Sequence, residues 1–324
     1  MRLKRSSPDA PGIRRVRHGR GFRYLDARGR SVADADVRAR IAALAIPPAW
    51  SDVWICPDER GHVQAMGLDA DGRRQYRYHE EWTRRAGVKK FARVRELAAA
   101  TGAMRARVTR DLRGDDPQAR ALAIAARIID ALGVRVGEER YALERGTIGA
   151  LTLAWEHVEV SGSTIAFDFP AKSGVRWEAE HEDDDLAAAL VLTRSARGPR
   201  GESAERVTEW IDDSGLHRVH SAALSDYLRT ATGCAITPKD LRTLRGSRLA
   251  AEHLARCGPS ATRKEQERAI REAVAVVAEG LRNTPAVARS SYIDPLVLER
   301  YRRGTTAALS RGRVSDAALA ELLG

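Results

Sequence analysis

The sequence predicts an α+β fold: a small basic N-terminal β-sheet domain, then a larger, mainly helical domain containing a β-hairpin. Three observations predict it. The first ninety residues carry short, bulky, strand-like runs bounded by Gly, Pro and Asp. From about Arg84 to Phe91 onward the chain turns Ala- and Leu-rich, with apolar residues at steps of three and four. One β interruption, between Leu151 and Trp177, breaks that helical run.

The elements follow in order. Phe22-Arg23-Tyr24-Leu25 and Val53-Trp54-Ile55-Cys56 read as strands, with a short helix over Asp36 to Leu44 between them. That helix stops at Ile46-Pro47-Pro48, which cannot continue it. His62 to Met66 and Gln75 to His79 are two more strands, joined through the Asp-Gly turn of Asp69 to Arg73. In the second part, Leu122, Ala125, Ile128, Ile129 and Leu132 form an apolar helical stripe. Thr164 to Phe169 alternates like a strand and runs into a turn at Pro170 to Gly174. Ser221–Thr232, Leu241–Arg256 and Lys264–Leu281 are further helices. Arg194 to Glu205, rich in Ser, Gly and Arg, reads as an exposed loop, and a polar turn and short helix follow Ser310. The expected division is residues 1–88 and 89–324, two domains from 324 residues.

Charge narrows the partner. The chain carries a formal +11, and residues 1–90 hold 20 Lys and Arg against 11 Asp and Glu, a net +9. A field so concentrated favours a polyanion over a solvated basic surface, and nucleic acid is the expected partner. No stretch of about 18 uninterrupted apolar residues occurs, so no membrane span is expected. The opening MRLKRSSPDAPG lacks the apolar run of a secretory signal. Cys56, Cys234 and Cys257 are few, odd in number and far apart, without CxxC or a Cys/His spacing for structural zinc. They read as free thiols of a reducing compartment, each filling a small buried apolar role. The expected location is the cytoplasm, with the nucleoid.

Several chemistries are excluded by absence. There is no GxxxxGK[ST] loop for ATP, no HExxH and no paired-Asp metal pattern. Work on a DNA backbone would then proceed with no cofactor, neither metal nor nucleotide. Such chemistry needs cations where charge rises on the non-bridging phosphate oxygens. The planar, permanently charged fork of Arg suits that position. It needs an acid, such as Lys, for a leaving 5′ alkoxide. A Tyr can attack and hold the strand as a phosphotyrosine, conserving the bond energy for resealing. Arg135 follows the amphipathic helix, Lys172 lies at the hairpin turn, Arg242 opens a helix, and Tyr292 lies in Ser290-Ser291-Tyr292-Ile293-Asp294-Pro295. Taken singly, each is an ordinary surface charge or packing residue.

Their wording and order carry more. Ile46-Pro47-Pro48-Ala49-Trp50, Val53-Trp54-Ile55, Gly61-His62-Val63-Gln64-Ala65 and Gly72 to His79 resemble the first domain of the poxvirus-like type IB DNA topoisomerases found in bacteria. Arg135-Val136-Gly137 with Tyr141, Phe169 to Gly174, Lys239 to Thr243, and Asn283 to Ile293 resemble that family's catalytic blocks. The resemblance covers nearly the whole chain. It implies a monomer that relaxes both supercoil signs without ATP. Tyr292 would form a 3′-phosphotyrosyl link, Arg135 and Arg242 would stabilise the transition state, Lys172 would protonate the 5′ oxygen, and Lys239 would stand near the same phosphate. It also implies DNA contacts from Gln75, Tyr76, Tyr78 and Tyr141, while Arg73 and Arg74 suit phosphates. Packing on the small core is the other reading of Tyr76 and Tyr78.

Two departures stand out. Asn283 occupies the position of a family His; its amide can donate to a phosphate oxygen but cannot carry charge. Leu241 and Leu244-Arg245-Gly246 replace aromatic-rich wording around Arg242. A tyrosine recombinase uses the same chemistry but has His-x-x-Arg where this chain has Lys239 before Arg242. A catalytically silent DNA-binding relative is the other alternative.

Overall fold

The computed structural model describes residues 2–324, and its described side chains exclude those of Arg140, Tyr141, Arg145 and Ser173. The expected DNA contact of Tyr141 therefore lies outside the described residues. The chain divides into two compact units, Met1–Lys89 and Lys90–Gly324.

In the first unit, β1 (Ile13–His18), β2 (Gly21–Leu25), β3 (Ser51–Ile55), β4 (Val63–Leu68) and β5 (Arg74–Tyr78) form one antiparallel sheet in the order β2-β1-β3-β4-β5. Helix α1 (Ala35–Ala43) starts where the Asp34 carboxylate accepts the N–H groups of Asp36 and Val37. Its Ile41 joins Ile13, Val53, Ile55 and Ala65 in the small core. The sequence reading lacked β1. Its run Ile13-Arg14-Arg15-Val16-Arg17-His18 looks like a charge cluster, yet Arg15 is structural. The guanidinium donates to the carbonyls of Pro47 and Trp50 at 3.0 and 2.6 Å and stacks on Phe22. The Asp69–Arg73 turn forms because the Asp69 carboxylate accepts the N–H groups of Asp71 and Arg73, both at 3.0 Å.

Helix α2 (Glu80–Arg113) contains the boundary between the units. In the second unit, α3 (Pro117–Leu132) begins with an Asp116 cap and Pro at its first position, and ends at Gly133 in the left-handed conformation. The expected stripe is buried at Ala125, Ile128, Ile129 and Leu132. A short α4 (Glu139–Arg145) leads to a sheet of β6 (Val158–Ser161), β7 (Thr164–Pro170) and β8 (Arg176–Glu182). The expected hairpin is thus three-stranded. In β8 the inward Trp177, Ala179 and His181 alternate with outward charged residues.

Helix α5 (Asp184–Ser195) and the hairpin β9 (Glu209–Asp212) and β10 (Gly215–Arg218) flank the exposed segment. Helices α6 (Ser221–Thr232), α7 (Pro238–Cys257) and α8 (Arg263–Gly280) fall within a few residues of expectation. The chain closes with α9 (Pro285–Ser291), α10 (Pro295–Arg302), the pair β11 (Leu309–Ser310) and β12 (Arg313–Val314), and α11 (Asp316–Leu323). Of the cysteines, Cys56 is buried, Cys234 half-buried and Cys257 exposed, so the expected buried role does not hold for Cys257. None of the helices described is long and apolar enough to cross a membrane.

Candidate active site

Tyr292 ends α9, two residues before the Asp294 cap of α10. Helices this short are marginal alone, so tertiary contacts must fix the tyrosine. They are dense. Gly246 of α7 lies against its backbone; a β-carbon there would stand 2.4 Å from the Tyr292 carbonyl oxygen and 3.0 Å from its Cβ. The fully buried Asp294 accepts Arg95 of α2 at 2.9 and 3.0 Å, and its N–H donates to Ser247 Oγ at 2.9 Å. The Lys90 ammonium donates to the Ser291 carbonyl and lies 5.7 Å from the Tyr292 ring centre.

Arg242 is the second anchor. It occupies the first turns of α7, where Asp240 Oδ2 accepts both the N–H and the hydroxyl of Thr237 at 2.9 Å. Its side chain is 2% exposed. One terminal nitrogen donates to the Gly133 carbonyl and the other to the Leu281 carbonyl at 3.2 Å, while its Nε–H has no partner among the described residues. The guanidinium carbon lies 5.1 Å from the Tyr292 ring centre. Burial lowers the pKa of Arg242, and nearby Arg135 works in the same direction. An arginine remains charged under such conditions.

Arg135 lies in the turn after α3 and donates to Asn283 Oδ1 at 3.0 Å. The Asn283 amide donates to the Leu281 carbonyl at 2.8 Å. Leu281 O therefore accepts from both Arg242 and Asn283, and Asn283 in turn holds Arg135. A crossing of two backbones fixes the Arg135 turn: a β-carbon on Gly149 would meet Arg135 O at 2.6 Å and Gly137 N at 2.5 Å. Leu151 N–H donates to Val136 O at 2.7 Å beside it.

The electrostatics converge on Tyr292. Burial pushes its phenol up, but the positive charges of Arg242, Arg135 and Lys239 outweigh burial and hold it below its ordinary value. Burial, with the charge of Lys239 added, pushes Lys90 down to about 8. Thus Arg135, Arg242, Asn283, Tyr292 and Lys239 are brought together. Lys239 is exposed and acts by charge. Lys172 is not brought in: it lies exposed on the turn from β7 to β8, without a hydrogen bond or ion pair among the described residues. Lys90, Arg95 and Gly246 were not legible as site residues, because their roles rest on neighbours about 45 to 200 positions away in sequence.

In the first unit, β5 is an edge strand. Tyr76 and Tyr78 are 38% and 46% exposed and stack at 5.8 Å, which removes the core-packing reading. Arg74 is exposed. Arg73 and Gln75 are already engaged, each donating to Asp69 at 2.8 Å.

The family described as the eukaryotic DNA topoisomerase I catalytic core matches residues 79–308, and the N-terminal domain of bacterial DNA topoisomerase IB matches residues 21–69. The chain therefore belongs to the type IB DNA topoisomerases, which are isomerases. Among its relatives is the DNA topoisomerase 1B of Acanthamoeba polyphaga mimivirus, 29% identical over 302 residues, covering 90% of this chain and 87% of that protein. DNA topoisomerase 1 of Schizosaccharomyces pombe is 28% identical over 169 residues, covering 52% of this chain and 19% of its own length. That of Daucus carota is 30% identical over 131 residues, covering 40% and 16%.

Proposed function

We propose that this chain relaxes supercoiled duplex DNA of either sign by opening and resealing one strand through Tyr292, without ATP or metal. The observation that carries the reading is the buried Tyr292 phenol beside Arg242, Arg135 and Lys239, with one Arg242 N–H still unpartnered. A buried donor without a partner is costly. A phosphate oxygen would satisfy it.

In the forward step the Tyr292 oxygen attacks phosphorus and its proton passes to water. A phosphotyrosyl ester forms at the 3′ end as the bond to the 5′ oxygen breaks. Arg242 and Arg135 stabilise the charge that rises on the non-bridging oxygens. Lys172 gives a proton to the departing 5′ oxygen, a role that requires the β7–β8 turn to meet the DNA. The freed strand swivels, and the 5′ hydroxyl attacks back. One phosphodiester replaces another, so no external energy enters. Asn283 serves here by orienting Arg135 through Oδ1. In the first unit, the exposed Tyr76, Tyr78 and Arg74 of β5 meet the groove and phosphates. The protein acts as a monomer in this reading.

The test is relaxation of positively and negatively supercoiled plasmid in EDTA without ATP, parent beside Tyr292→Phe. Relaxation by the parent alone, with DNA binding equal in both, is expected. A parent that binds DNA but does not relax it refutes the proposal.

A further inference from the structure

Helices α7 and α8 pack against each other. On α7, His253 and Cys257 are four residues apart and share a face. Glu272 of α8 stands opposite. A ring nitrogen of His253, the Cys257 sulfur and a Glu272 carboxylate oxygen all lie within 4.8 Å of one another, a grouping found once among the described residues.

Two further observations mark this cluster. First, Nε2 of His253 is shut off from solvent and has no hydrogen-bond partner among the described residues. Glu272 Oε2 is 3.7 Å away, near enough to pair with a protonated ring but beyond hydrogen-bond reach of a neutral one. In the neutral ring, the nitrogen bears its full desolvation cost. An ion at the centre of the cluster would relieve it. Second, the other Glu272 oxygen, Oε1, accepts Arg268 Nε at 2.9 Å, which leaves Oε2 turned toward His253. Cys257 is exposed, so an ion has a way in.

We propose that His253, Cys257 and Glu272 bind one zinc ion and staple α7 to α8. The donor set is one imidazole nitrogen, one sulfur and one carboxylate oxygen. That combination suits zinc and argues against magnesium or calcium, which take oxygen ligands. Three protein ligands leave a fourth position for water. At zinc–ligand distances of about 2.0–2.3 Å, ligand atoms of a tetrahedron stand roughly 3.3–3.8 Å apart. The cluster needs to close by about 1 Å, within reach of small rotations of the three side chains. On binding, the Cys257 thiol releases its proton to solvent and becomes the thiolate ligand. The spacing of His253 and Cys257 says little in the sequence, because the third ligand lies on another helix. The staple would join the helix carrying Arg242 to the helix that leads into Leu281 and Asn283. It lies outside the phosphate chemistry, so relaxation in EDTA continues.

The test titrates the full-length, metal-free protein with Co²⁺, then with Zn²⁺. One equivalent of Co²⁺ should bind with a thiolate-to-cobalt charge-transfer band, displaced by one equivalent of Zn²⁺. Cys257→Ser should lose the band, and Cys234→Ser should keep it. Zinc should raise the thermal midpoint of the parent but not of His253→Gln. Absence of saturable one-to-one binding, or a band that survives in Cys257→Ser, overturns the proposal. Because Cys257 is exposed, its serine variant keeps the fold, so a lost band reports the ligand.

Discussion

Replacing Gly246 by alanine puts a methyl group where the backbone of Tyr292 lies. The new carbon would stand 2.4 Å from the Tyr292 carbonyl oxygen, against an ordinary contact of 3.4 Å or more. Something must move by about 1 Å. Both partners are backbone, one in the middle of α7 and the other tied through Asp294 to Arg95 and Ser247, so neither yields cheaply. A displacement of that size at a reacting group costs about 100-fold in rate. Overpacking would cost about 1–3 kcal/mol, offset by roughly 1 kcal/mol from the better helix propensity of alanine. The net stability loss is therefore about 0–2 kcal/mol, and the larger loss should fall on chemistry. The assay is single-turnover cleavage of a duplex that traps the covalent intermediate, with thermal unfolding and DNA affinity alongside. Gly280→Ala is the control: its added carbon would meet only the flexible end of Leu249, at 2.9 Å. If Gly246→Ala cleaved at the parent rate, the close approach would not be what holds Tyr292.

Three further outcomes are expected. Arg95→Met leaves the fully buried Asp294 carboxylate without its cation, and urea unfolding should show a loss of about 3 kcal/mol, the low end for such pairs because Arg95 is 41% exposed; a loss below about 1 kcal/mol would show the pair to be incidental. The cleavage rate should rise with pH as the Tyr292 phenol ionises, with a midpoint below the ordinary tyrosine value of about 10. Lys239→Met removes a positive charge that favours the phenolate, so it should move that midpoint upward; an unmoved midpoint would remove Lys239 from the site.

Much of the fold was legible because periodicity reports burial directly. The α3 stripe and the alternation of β7 each describe one face of one element. Where charge masks the pattern, as with the arginines of β1, the strand carries no clear local signal. The site divides in the same way. Tyr292, Arg135 and Arg242 are recognisable by local wording. The amide of Asn283 can donate to a phosphate, but that its Oδ1 meets Arg135, a contact across 148 positions, is something no local pattern encodes. Lys90 makes the same point, because a lysine beside Phe91 looks like any other basic helix start.

The pairing of Arg95 with Asp294 has a mechanical side. In the proposed cycle, a strand attached to Tyr292 is tugged whenever the DNA below the nick spins. Helix α9 has seven residues and α10 eight, too little to resist a load alone. The pull passes instead from the phenol through two residues of chain into the Asp294 carboxylate, and from there into a helix of 34 residues. The ion pair then works as a tie-bar. Its task is to keep the severed end from wandering during the one interval when the strand has no continuous backbone.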